Sequence, residues 1–496
     1  MNIKNVIKNI FSNPTSFFFR NLGTKQIIAK NTFWLATAEA ITRFLKFFLI
    51  IYVARILGAT EYGKFTFALA FVALFTIFSD LGISAITTRE LAKDKSKEKD
   101  FSAIFSLKLL LAIGTLTIIC LGSFFITLEP EIRSIIWVLG IYIVISGFSQ
   151  IIYAFFRARQ KMEYEAWTKI IQALVVTGAG FFVLFNLPSV RNLSFAYLIA
   201  SSVALIFILI FFNFKVSRLH FSFNRQIWKN ILSLSWPLAL AGIFGTVYSS
   251  IDSVMMGYWG QITQVGWYNA AYKIVGVTLI PVGLIGASFF PLLSKRLEES
   301  KQEFQKIWHY YLDIMIFLAV PMVFGGIVLA PKIINFVYGP KYSPATLAFQ
   351  ILIIMAGLIF LLIPFSQALV VSNQQKKLFL ITMSGAIVNM FLNFILIPKY
   401  SLYGAAVATL ITYFLVFLLY IGFTLRFTPI KRCNPKLIYT FLLAIISSTL
   451  MCLVIFFSVI YNLHVVYIVL LASLFYFFSF FIFQKMLKYF IKQTIK

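Results

Sequence analysis

The sequence predicts an all-α integral membrane protein with about 14 transmembrane helices. Three observations carry that expectation. Of the 496 residues, 60% are hydrophobic and 12% are charged, about half the charged share of an ordinary soluble domain. Phe alone occurs 57 times, an apolar load that a water-exposed surface could not carry. The apolar residues also come in runs of about 20, the length that crosses a ~30 Å hydrocarbon core as a helix.

Residues 1–30 read as a cytoplasmic, interfacial segment. Ile3, Val6, Ile7, Ile10 and Phe11 recur at helical spacing with Lys4 and Lys8 opposite, so a short helix is expected to lie on the membrane surface. No uninterrupted apolar stretch precedes a small-residue cleavage site, which argues against a signal peptide. Spans follow at 31–57, 65–86, 103–127, 135–156, 170–187 and 194–214. A second set lies at 231–256, 266–293, 309–330, 345–371, 379–397 and 404–425, and 437–460 and 465–484 close the chain.

An internal repeat groups these spans. Ala59–Ala68 and Ile262–Ala271 match in place and partly in residue, with Gly63 on Gly266 and Ala68 on Ala271. The loop at Pro188 corresponds to the loop at Pro398. An even number of spans separates the copies, so they share one orientation and are related by a pseudo-two-fold axis along the membrane normal. The expected organisation is an N-lobe at 31–230 and a C-lobe at 231–436, six helices each. Residues 437–496 add two C-terminal helices and a basic tail. A cleft between such lobes is where a transported substrate would sit.

Charge sets the orientation. Most of the 43 Lys and Arg residues fall in linkers that share a side with the N-terminus, which places both termini in the cytoplasm. The net charge of +27 is therefore a membrane signature, with anionic lipids as partners and no nucleic acid. Three scattered cysteines and three scattered histidines suggest neither a disulfide framework nor a metal site.

The first span is the one that departs from its apolar neighbours. Glu39, Arg43 and Lys46 lie at i, i+4 and i+7, on one helical face. A charge at membrane depth is costly and normally faces protein or a wet cavity. Two cations with one acid suit an anionic cargo, and Arg and Lys both bind phosphate. The opposing reading is a structural Glu39–Arg43 pair one turn apart. In the second lobe Lys273 stands one turn from Asn269. Asp252, one turn after Tyr248, is expected at the depth of Lys273, as a brace or a switchable pair. Gln150, Tyr153, Tyr248, Gln367, Asn389 and Asn393 supply polar groups for a glycan or for helix bridging. Glu39, Asp80 and Asp252 are the ion-coupling candidates, whereas Asp313 reads as interfacial and Lys108 as a snorkelling side chain. Paired catalytic carboxylates, a phosphate-binding Gly-rich loop and a Ser/His/Asp arrangement are all missing, and the external loops are short, so an enzyme is not expected.

Three stretches resemble a known family. They are Leu57-Gly-Ala-Thr-Glu-Tyr-Gly-Lys-Phe65, Asp80-Leu-Gly-Ile-Ser-Ala85 with Thr88-Arg-Glu-Leu-Ala92, and Leu392-Asn-Phe-Ile-Leu-Ile-Pro-Lys-Tyr-Ser-Leu-Tyr-Gly-Ala-Ala-Val-Ala-Thr409. They look like the Wzx-type oligosaccharide flippases, within the superfamily that also holds multidrug extruders and the lipid II flippase. The resemblance implies a two-lobed bundle in the cell membrane. It would move polyprenyl-diphosphate-linked oligosaccharide from the cytoplasmic to the outer leaflet by cation-coupled alternating access. It implies no cofactor, with H+ or Na+ as the candidate coupling ion, and allows polysaccharide-assembly proteins as partners. Two alternatives stand beside it. A drug or metabolite:cation antiporter of the same superfamily would want an acidic cavity, and a membrane-embedded glycan-assembly enzyme would want a large loop.

Overall fold

The computed structural model describes residues 21, 23–216, 218–430, 435–461 and 463–494. The expected N-terminal interfacial helix and Cys433 lie outside them. The described residues are helical without a strand. In order the helices are α1 (Thr24–Asp80), α2 (Ile83–Lys93), α3 (Phe101–Ile126), α4 (Pro130–Ala158), α5 (Met162–Asn186), α6 (Val190–Lys215) and α7 (Arg225–Tyr258). They continue with α8 (Ile262–Thr278), α9 (Ile280–Glu299), α10 (Lys301–Tyr338), α11 (Ala345–Val371), α12 (Gln375–Phe427), α13 (Pro435–Ile460) and α14 (Val465–Thr494).

Among the described residues, eleven helices are long and apolar enough to cross a membrane, or twelve if the bent α7 is one span. The sequence suggests more because two helices each merge two of its spans. In α1 the backbone leaves helical geometry at Gly58, with φ 82° and ψ 174°, a region that is essentially glycine-only. The arm before Gly58 runs parallel to α5, with Lys30 on Glu163, Trp34 on Trp167 and Tyr52 on Phe181. The arm after it runs parallel to α4, with Lys64 on Glu131 and Ser79 beside Gly147. A three-residue turn makes α4 and α5 antiparallel, as Phe156 on Tyr164 records. The two arms of α1 are therefore antiparallel, and α1 is a hairpin. In α12 the break is at Ser401, and Lys377 at its start meets Phe427 at its end. The single sequence span at 266–293 is split instead, into α8 and α9, next to Pro281.

The chain divides into two compact units, at Gly260 and Gln261. The repeat places residue 231 at the start of a second lobe, yet α7 packs with the first unit. Its Gly257 and Gly242 receive Phe67 and Ile77 of the second arm of α1 so closely that a Cβ would collide with them. The core of this unit is an aromatic cluster of Phe101, Phe155, Phe156 and Phe212. In the second unit Trp308, Tyr311 and Phe365 join α10 to α11, and Phe317, Tyr476 and Phe480 join α10 to α14.

Two buried ion pairs tie the first unit. Lys30, fully buried, donates to Glu163 at 2.9 Å and to the carbonyl of Gln160, which fixes the start of α1 to the α4–α5 turn. Lys108 is only 1% exposed and pairs with Asp80, which also accepts from Ser84. Lys108 therefore does not snorkel to an interface. It is the internal counter-ion at the α1–α2 junction.

Two outcomes follow. Ala at Lys108 strands the Asp80 carboxylate and should cost about 3 kcal/mol, while Lys108→Met with Asp80→Asn should recover most of it, read as the thermal midpoint of purified protein. Gly404→Ala would bring a Cβ to 2.3 Å from the Leu396 carbonyl oxygen, and overpacking of that kind costs about 1–3 kcal/mol. Gly114→Ala meets nothing within 4 Å and should leave the midpoint unchanged.

Candidate functional site

The first arm of α1 presents three faces at about 100° per residue. Trp34, Ala38, Leu49 and Val53 are buried against the unit. Phe33, Phe44 and Phe48 form an exposed aromatic strip suited to lipid. The third face carries Thr32, Ala36, Glu39, Arg43 and Lys46, all exposed.

Arg43 donates from Nε to Glu39 Oε1 at 2.6 Å, and the two side chains remain 65% and 51% exposed. The pair exists, as the structural alternative requires, but both side chains stay more than half exposed. Arg43 lies ~29 Å along the helix from Thr24 and ~22 Å from Gly58, so neither end is within snorkelling reach. Facing lipid there costs a few kcal/mol or more per charge. The charged strip is thus a face of α1 distinct from the strip of exposed aromatic rings.

The structure extends this strip to neighbouring helices. Lys169 of α5 lies within electrostatic range of both Glu39 and Lys46. Its ammonium donates to Glu165 at 2.7 Å and sits 5.6 Å from the centroid of the buried Tyr153 ring of α4. Glu165 has no exposed surface and receives Arg157 as well, through Nε at 2.7 Å. Three cations, Arg43, Arg157 and Lys169, thus pair with two carboxylates, and Lys46 lies within electrostatic range of Glu39. A fully buried Glu165 clamped by two cations is a rigid base, and Glu39, Arg43 and Lys46 are its open edge. The sequence reading missed Lys169 because it stands one residue before an expected span. Its i, i+4 spacing from Glu165 was the available signal.

The remaining predicted residues distribute differently. Gln150 is exposed on α4. Asp80 is engaged by Lys108 and Ser84. On α7, Tyr248 is half-buried and Asp252 is 5% exposed. In the second unit Asn269 donates to the Val265 carbonyl at 3.0 Å, and Lys273 is exposed one turn on. Asp252 and Lys273 thus belong to different units. Asn389 and Asn393 are buried and joined by a 3.0 Å hydrogen bond along α12, a packing role. Among the described residues no group of three or more His, Cys, Asp or Glu could hold a metal ion.

Comparison with known proteins agrees with this architecture. The probable low-salt glycan biosynthesis flippase Agl15 of Haloferax volcanii is 23% identical over 416 residues, covering 82% of this chain and 85% of the relative. A putative O-antigen transporter of Shigella flexneri is 24% identical over 405 residues, covering 77% of this chain and 94% of the relative. Among solved structures, lipid II flippase MurJ in an inward closed conformation shares the fold. Its TM-score is 0.75 at 18% identity, over 93% of this chain and 99% of that one. A second family model, MatE, matches residues 237–395. The model described as polysaccharide biosynthesis protein matches residues 28–297, more than half of the chain, and the protein belongs to that family.

Proposed function

We propose that the protein is a flippase that carries polyprenyl-diphosphate-linked oligosaccharide from the cytoplasmic to the outer leaflet of the cell membrane. The observation that carries this reading is the exposed strip of Glu39, Arg43 and Lys46 at the mid-depth of α1. A diphosphate needs fixed cations in a wet place, and Arg offers it a bidentate fork. Arg43 and Lys46 are the first ligands in this account. Lys169 is held in reserve on Glu165, and the prenyl tail stays in lipid. The names of the relatives, a glycan flippase and an O-antigen transporter, support the same class of cargo.

The rest of the cycle belongs to this proposal. Translocation proceeds by alternating access with H+ or Na+ as the driving ion, and Glu39 is the acid beside the cargo site. The hairpins of α1 and α12 and the bent α7 support fourteen passes with both termini in the cytoplasm. A cationic drug would be repelled by a strip in which cations outnumber carboxylates, which disfavours the antiporter alternative.

Arg43→Ala should lower transport at least about tenfold, the worth of one charge-assisted hydrogen bond. Complete lipid-linked glycan should then accumulate on the cytoplasmic leaflet, with the thermal midpoint unchanged. Lys at position 43 should restore part of the activity. Unchanged leaflet distribution in the Ala variant would sink the assignment.

A further inference from the structure

The sixteen Asp and Glu residues all occur at or before Asp313, while Lys and Arg continue to the C-terminus. Beyond Asp313 the sequence offers no Asp or Glu side chain to neutralise them. One pair of these cations is held in a fixed geometry. Lys377, at the start of α12, places its ammonium 4.8 Å from the centroid of the Phe427 ring and 5.9 Å from that of Phe423. Arg426 lies 5.4 Å from the same Phe427 ring. Neither is ion-paired among the described residues. By contrast, Lys295, Arg296 and Lys306 of the same unit each have a Glu.

Lys377 and Arg426 border a groove of about 490 Å3 whose floor and wall are Leu418, Leu419, Gly422 and Phe423. A Cβ on Gly422 would meet nothing within 4 Å, so the helix is notched there. Leu418 and Leu419 are exposed, ~12 Å along the helix from Arg426. The hairpin turn at Ser401 is ~36 Å from Lys377, about one bilayer away. Both cations therefore sit at one rim of the membrane, and the apolar groove runs from them toward its centre.

We propose that this groove is a binding site for an anionic phospholipid. Lys377 and Arg426 take the headgroup phosphate, and an acyl chain lies over Gly422 against Leu418 and Leu419. Charge complementarity selects the headgroup, since basic pockets between membrane helices on the cytoplasmic side are recurrent anionic-lipid sites. The stacked phenyl rings hold the ammonium in place before a lipid arrives, which lowers the ordering cost of binding. The bound lipid supplies the negative charge that this part of the chain lacks.

The test uses the full-length protein, delipidated in detergent and mixed with equal amounts of phosphatidylglycerol and phosphatidylcholine. Retained lipid is read by native mass spectrometry. Phosphatidylglycerol should be retained in preference, and Lys377→Gln or Arg426→Gln should each reduce that preference about fivefold. Leu419→Trp, which fills the groove without touching the charge, should also reduce it. The midpoint in phosphatidylcholine alone checks that each variant folds. Equal retention of the two lipids, or a preference unchanged in the Gln variants, would overturn the proposal. Displacement of phosphatidylglycerol by a polyprenyl diphosphate would overturn it too, by making the groove a cargo site. The Arg43 experiment is read on leaflet distribution and can fail or succeed independently.

Discussion

The cost of an unneutralised charge in hydrocarbon is the constraint from which the arrangement of this protein follows. The chain meets it in three ways. Lys108 with Asp80, and Lys30 with Glu163, are taken inside and paired, so they act as structural ties. Glu39, Arg43 and Lys46 are left exposed midway along the first arm of α1, where the proposed function places water and the cargo. Lys377 and Arg426 are brought to a rim, where lipid headgroups can meet them. Under the two proposals made above, structure, transport and lipid contact fall to different charges by where each one sits.

The distribution of acids sharpens the account of the cargo site. In the proposed cycle the ion-coupling carboxylate comes from residues at or before Asp313, where every Asp and Glu of the sequence lies. Of the candidates, Asp80 is held by Lys108 and Ser84 and is a poor choice for a group that must change partner during a cycle. Glu39 is half exposed, bound by a single Arg and surrounded by further cations. An anionic cargo that takes Arg43 leaves Glu39 without its partner. In the proposed cycle, cargo binding and ion binding on α1 are then linked through one hydrogen bond.

Much of this could be read from the sequence because periodicity and hydropathy are local. The strip at Glu39, Arg43 and Lys46 needed only helical spacing, and the apolar runs needed only length. Tertiary contact decided what those signals could not. Whether the Glu39–Arg43 pair was buried depended on what packed against α1. Lys108 looked like a snorkelling residue because its partner Asp80 is distant in sequence and joins it only through the α1–α3 contact. Lys169 was hidden by an expected span that opened one residue too late, and the breaks at Gly58 and Ser401 fold α1 and α12 into hairpins of two spans each. The assignment of α7 likewise rests on how glycines receive aromatic and aliphatic side chains, which a repeat alignment does not encode.

Water beside the charged strip is the central claim, and cysteine accessibility tests it most directly. Lys46→Cys and Phe44→Cys would be placed singly in a chain with its own cysteines replaced, and labelled in intact membranes with a charged, water-soluble thiol reagent. The account predicts rapid labelling at position 46 that polyprenyl-diphosphate glycan slows, and little labelling at position 44. Unreactive thiols at both positions, or labelling at 44 alone, would show that the strip faces lipid or protein and would contradict it.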